Sequence, residues 1–337
     1  MIGTSISNIT NYEVNQASQT VLNIKNMIAN EEASFASSAY EVGDYLRQDS
    51  TFYKVTSDIS VGDPLVIDGN IKETTVGYEL QHRNDTYKIV SWSSGTDEEI
   101  VALVEAADNG LVDLYEDAGW RVGDTRTVHL SAMSATGVGE SHVAQDVEFV
   151  LMHHGDMNLA SATASGRIKC SFVVGMKNLL ANGTTGEYGY MESTNTNSNG
   201  WHGCKRRIWC NNTFRSAIPS TLRSIFKQFT HSVATTYGNT SGVTLSTDYF
   251  SLPTEKNVFG IKTRCTQDEF NAADNFQFEW YMTATNRIKK VGSSEYTNHW
   301  WECSPYYNYG MFCAVSNSSA NYYNASSVYG ISPFGVI

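Results

Sequence analysis

From Cys303 to Ile337 the chain runs 35 residues without an Asp, Glu, Lys or Arg. Such a stretch is not a solvated tail, because Trp300, Trp301, Met311, Phe312, Val315, Ile331, Phe334 and Val336 border or interleave it and demand a core. Between Asn298 and Gly330 there are 5 Asn, 6 Tyr and 6 Ser, so 17 of 33 positions are one of three residue types. Two accounts compete, a buried strand-rich terminus and a binding surface. Tyr offers large amphipathic contact area at low rotamer cost, and Ser and Asn supply adaptable hydrogen bonds, as in antigen-combining loops. The binding-surface account weighs more. It singles out Tyr306-Tyr307-Asn308-Tyr309 and Asn317 to Asn324 as two exposed segments on flanking strands, expected to form one face.

The rest of the composition narrows the class. Acidic side chains outnumber basic ones, 35 to 23, for a net charge of −12. A chain that negative does not track a phosphate backbone without a local basic patch, so nucleic acid is not an expected partner. No apolar run approaches the ~20 residues of a membrane span, and MIGTSISNITNYEVNQ has neither a cationic nor an apolar signal region. Neither membrane insertion nor secretion is expected. The 6 cysteines are scattered through 337 residues, which suits reduced thiols in a protein folded in the cytoplasm.

Three domains are expected along the chain. Residues 1–38 carry Val14, Ala17, Val21, Ile24 and Ile28 in steps of three and four, the seam of an oligomerisation helix or of a helix docked on its own domain. The seam favours neither dimer nor trimer. Residues 39–96 alternate in short runs broken by Val-Gly-Asp, Asp-Pro and Asp-Gly-Asn, a small β module and linker. Residues 97–337 read as α+β. A helix begins at Asp97 with acids in its first turn, and Gly110 ends its first part. Strands are expected over 125–130 and 147–152, and helices over 171–181, 203–214 and 220–229.

The tract WWECSPYYNYGMFCAVSNSSANYYNASSVYGISPFGVI resembles the C-terminal region of C-type-lectin-fold proteins common in gut-bacterial phages and prophages. VGDTRTVHLSAM, MESTNTNSNGW, CKRRIWCNNTFRSAIPSTLRSIFKQF, FSLPTEKNVFG and FEWYMTATNRIKK support the resemblance, which covers roughly 97–337. Such proteins include variable proteins of diversity-generating retroelements, in which mutated template adenines turn Asn codons into Asn, Tyr, Ser and other codons. The resemblance implies a C-type-lectin-like (formylglycine-generating-enzyme-like) domain that displays Tyr306, Tyr307, Asn308, Tyr309, Asn317, Ser318, Ser319, Asn321, Tyr322, Tyr323, Asn324 and Tyr329 as ligand-binding residues. Trp300, Trp301, Pro305, Phe312, Gly330 and Phe334 would be scaffold, and Cys303 stands where the family has an arginine before Ser-Pro. AYEVGDYLRQDSTFYKV and TTVGYEL resemble β modules of phage tail-fibre and baseplate proteins. The implied protein is a homotrimer on a phage tail, a virion protein that contacts other tail proteins and a bacterial surface protein or glycan.

An enzyme is the alternative. The related fold hosts formylglycine-generating oxidases that use a C-terminal cysteine pair, for which Cys303 and Cys313 are the candidates. The tract lacks the polar surroundings that depress a thiol pKa, so inert packing thiols are expected. Adjacent His153 and His154 would face opposite ways on a strand and not share an ion. No carboxylate follows Glu302 to hold calcium. No metal or cofactor is expected. Lys205-Arg206-Arg207 reads as a solvated helix face paired with acids.

Overall fold

Residues 32–42, 44–48, 51–74, 87–134, 138, 141–181, 189–291 and 297–337 are described by a computed structural model of the chain. They fall in two units, Met1–Lys88 and Ile89–Ile337. Most of the expected N-terminal helix, residues 1–31, lies outside the described residues. Residues 32–40 are not helical: Ala36 and Tyr40 instead pack on the first unit's β core. That core lies under an antiparallel meander of β1 (Tyr45–Gln48), β2 (Thr51–Val55) and β3 (Ile71–Thr74). Strand alternation turns Tyr53 and Val55 inward with Leu46, Ile59 and Ile71.

The second unit starts before residue 97 for a packing reason. Trp92 is fully buried with its ring 5.2 Å from that of Trp120, whose Nε1 donates to Val90 O at 2.8 Å. The helix Asp97–Asp108 follows. Thr96 closes a capping box with Glu99, the hydroxyl accepting from Glu99 N at 3.2 Å and the carboxylate accepting from Thr96 N at 3.0 Å. Gly110, at φ +71, takes the chain out of the helix as expected.

The unit is α+β with small antiparallel sheets. Its largest sheet runs β15 (Phe334–Val336), β7 (Phe172–Met176), β5 (Gln145–His154), β4 (Thr125–Leu130). A second pairs β6 (Asn158–Leu159), β8 (Phe229–Ala234) and β9 (Val243–Asp248). Short β10 (Lys289–Lys290) and β11 (Thr297–Asn298) pair with each other. A further three-stranded sheet is β12 (Trp300–Pro305), β13 (Met311–Ser316) and β14 (Ser319–Asn324). Trp300, Val315, Phe334 and Val336 share a core with Val150, Val173, Phe229, Phe278 and Tyr281. The charge-free tract therefore ends as a buried strand at one end of the largest sheet, and Ile331 to Ile337 are all buried.

Three local expectations need correction. The helix expected over 171–181 is strand β7: FVVGM is buried on both faces, and a continuous apolar run carries no period to separate strand from helix. The helix over 220–229 stops at Arg223, because Lys227 N pairs with Val336 O and Phe229 enters β8. Arg206 is not solvated. It is 1% exposed, stacks on Trp209, and donates to the carbonyls of Val138 and Tyr190, while Arg207 pairs with buried Asp248 at 2.6 Å. The expected helix itself is present, as a continuous run of α-helix, π turn and α-helix from Lys205 to Ala217.

His142 packs between Trp209 and Ala181 O, near the Arg206 cation. Burial, and then that cation, push its imidazole down from 6.5 to about 4. Between those values the unfolded chain takes up a proton that the folded chain refuses, so stability is full above pH 6.5 and is lost as pH falls toward 4. The expected loss is on the order of 2–3 kcal/mol. Urea unfolding at graded pH tests this, with His142→Gln giving a visibly flatter profile than the parent.

Candidate functional site

The Tyr/Asn/Ser tract forms a β hairpin and a loop at opposite ends of β13. Asn317 and Ser318 both adopt positive φ, 45 and 66, a two-residue turn between Ser316 and Ser319 of the kind whose twist suits a hairpin. At the other end, Tyr306 to Gly310 connect β12 to β13. A six-residue strand is ~17 Å long, so the hairpin tip and the loop are not one patch.

Side-chain alternation divides the tract further. Tyr322 lies opposite Cys313, and its ring stacks on Tyr306 at 3.9 Å and 3°. The Arg264 guanidinium sits 5.3 Å over Tyr322, and Tyr307 lies 4.2 Å from Tyr306. Tyr323, one residue on, lies opposite Phe312 on the reverse face. There its ring is 4.1 Å from Tyr329 and its hydroxyl is 2.8 Å from His299 Nδ1, with Trp301 edge-on to both tyrosines.

The twelve expected residues therefore have different environments. Tyr307, Asn308 and Tyr309 are exposed, Tyr309 at 58% and edge-on to Tyr237. Asn317, Ser319 and Asn324 are also exposed, while Ser318, Asn321, Tyr322, Tyr323 and Tyr329 are half-buried. Tyr306 corrects the expectation of exposure: it is 4% exposed, because its backbone bridges Cys265 and its ring fills the space over Cys265 and Cys313.

The exposed loop is held by a residue that no local sequence pattern singles out. Asn197, 2% exposed, donates through Nδ2 to the carbonyls of Tyr306 (3.1 Å), Asn308 (2.9 Å) and Met311 (2.6 Å). Its Oδ1 accepts from Gly310 N at 2.8 Å. Gly238 N adds a bond to Tyr307 O at 2.9 Å. One side chain thus fixes the backbone of 306–311 through main-chain atoms alone, while the side chains of 307–309 stay exposed. Scaffold support comes from Trp301, fully buried, whose Nε1 donates to Gly189 O at 2.8 Å.

Cys303 and Cys313 are free and buried, on β12 and β13. Burial and then nearby carboxylates push both thiols well above their usual range. His153 is buried between Asp156 (3.0 Å) and Glu279 (3.1 Å), whereas neighbouring His154 is exposed and stacks on Tyr115.

Residues 176–335 match a family described as a domain of unknown function, DUF6273, and this span takes in the clamp, the loop and the hairpin. No curated protein and no solved structure matches the chain.

Proposed function

We propose that the chain is a receptor-binding protein of a phage or prophage tail, with a C-type-lectin-like domain that presents Tyr307, Asn308 and Tyr309 to a bacterial surface protein or glycan. One observation carries the reading: a loop whose backbone is fixed by buried Asn197 while three consecutive Tyr and Asn side chains face solvent. Pre-organised backbone under exposed aromatic side chains lowers the ordering cost of binding and lets side chains vary without loss of the core. The exposed hairpin positions Asn317 and Ser319 make a second, separate contact region, while exposed Asn324, opposite Met311, lies at the loop end of β13. The reading includes a homotrimer attached to other tail proteins, by analogy with such proteins, and diversification by a retroelement.

The oxidase alternative draws no support from Cys303 and Cys313, since a thiol nucleophile needs a depressed pKa and access to substrate. The test is binding of the purified chain to intact cells of candidate host bacteria, read by flow cytometry. Tyr307→Ala and Tyr309→Ala are each expected to weaken binding by ~1–2 kcal/mol or more while changing stability by only ~0.5 kcal/mol. Cell binding that these substitutions leave intact would count against the loop as the contact. A reverse transcriptase gene beside this one, with a near-copy of the final segment differing mainly at adenines, is the result expected for diversification.

A further inference from the structure

Glu302 lies in the middle of β12, fully buried, and neither of its carboxylate oxygens has a hydrogen-bond partner. Burying a carboxylate without a partner costs several kcal/mol at least. Its neighbours add to the cost, because Glu255 and Glu269 are also buried and both repel charge on Glu302. Glu255 is held by the backbone N–H groups of Thr263 and Arg264, and Glu269 by Ala234 N. Among the described residues, no lysine, arginine or histidine forms an ion pair with any of the three. Among the described residues, no ion pair supplies the positive charge that would balance this cluster.

The geometry names where such a charge would sit. One ligand atom from each of Glu255, Glu302 and Cys313 lies within 4.8 Å of the others. Ligand atoms on one tetrahedral zinc are roughly 3.5 Å apart, so small side-chain rotations bring these three onto a single ion. We propose that Glu255, Glu302 and Cys313 bind a divalent ion of the zinc class, buried beneath the 306–310 loop. Sulfur among the donors favours zinc over calcium or magnesium, which take oxygen ligands. A bound ion deprotonates the thiol it coordinates and reverses the electrostatic cost of the carboxylates. Cys265 packs beside the site with Cys313 and Tyr306. The ion would tie the start of the helix Glu255–Phe259 to β12 and β13, under the ring of Tyr306. This site departs from the expectation of no metal, and it does not depend on what the loop binds.

The test uses the full chain without a histidine tag, stripped with EDTA and titrated first with zinc chloride and then, in a fresh sample, with cobalt chloride. The expected result is about one zinc per chain with a rise in melting temperature of several degrees. Cobalt should give a thiolate-to-metal absorption band that Cys313→Ser abolishes and Cys303→Ser retains. Glu302→Gln should lower zinc affinity by at least about tenfold while keeping the near-ultraviolet dichroism of the folded chain. Less than about a tenth of an equivalent of bound zinc with an unchanged melting temperature would overturn the proposal, as would a cobalt band that survives Cys313→Ser.

Discussion

Replacing Trp301 with alanine is expected to cost ~3–5 kcal/mol, enough to unfold much of the domain at ambient temperature. Trp301 is fully buried on the reverse face of β12, edge-on to Tyr323 and Tyr329. Truncation removes a large apolar contact area, opens a cavity between the rings, and leaves Gly189 O without its indole donor. Gly189 also pairs through its backbone with Tyr329, so the loss reaches the 329–330 segment that bridges Trp300. Urea unfolding measures the effect. Trp301→Phe is expected to recover part of the loss, since it restores ring packing but not the hydrogen bond.

Asn197→Ala is the second large effect, and it separates stability from binding in a way Trp301→Ala does not. The substitution strips four hydrogen bonds from one loop and leaves buried Gly310 N–H without an acceptor. A buried donor left unpaired costs ~1–3 kcal/mol, and the loss of the two amide N–H groups shared among three carbonyls brings the expected total to about 3 kcal/mol. Because the bonds converge on 306–311, opening should be local. Hydrogen exchange at Gly310 and Met311 is expected to accelerate far more than exchange in β5 and β7. Binding through Tyr307 and Tyr309 should fall even though neither side chain has changed. Asn197→Asp is a sharper version, since a carboxylate cannot donate to the three carbonyls and would face them in a buried site.

How much of this was legible beforehand depended on whether a residue type carried a period. β4 reads directly from Thr125–Leu130, where Arg126, Val128 and Leu130 turn inward and Thr127 and His129 outward. β7 does not, because FVVGM is buried at every position and alternation is absent. In the Tyr/Asn/Ser tract, composition identified a region suited to binding but assigned it one face. The strand period then places Tyr322 and Tyr323 on opposite sides, and the turn at Asn317-Ser318 sets which residue faces which way. Tyr306 is buried because Cys265, 41 positions earlier in sequence, bridges its backbone, a pairing no local pattern reveals. Asn197 sits in the polar run TNTNSN, where its neighbours are of the same type, so only tertiary contact distinguishes it. Glu302 offered a usable signal: an acid flanked by two tryptophans and a cysteine, the last charge before a charge-free stretch.

In the proposed function, residues 307–309 are free to change on a backbone held from below. The most direct measurement randomises Tyr307, Asn308 and Tyr309 together in a displayed library, scoring each variant for protease resistance and for binding to host cells. The great majority of variants are expected to resist protease like the parent while binding scatters widely, and the same randomisation on an Asn197→Ala background is expected to lose that resistance. Variants at 307–309 that unfold as readily as Trp301→Ala would contradict the proposed function and make the loop part of the core.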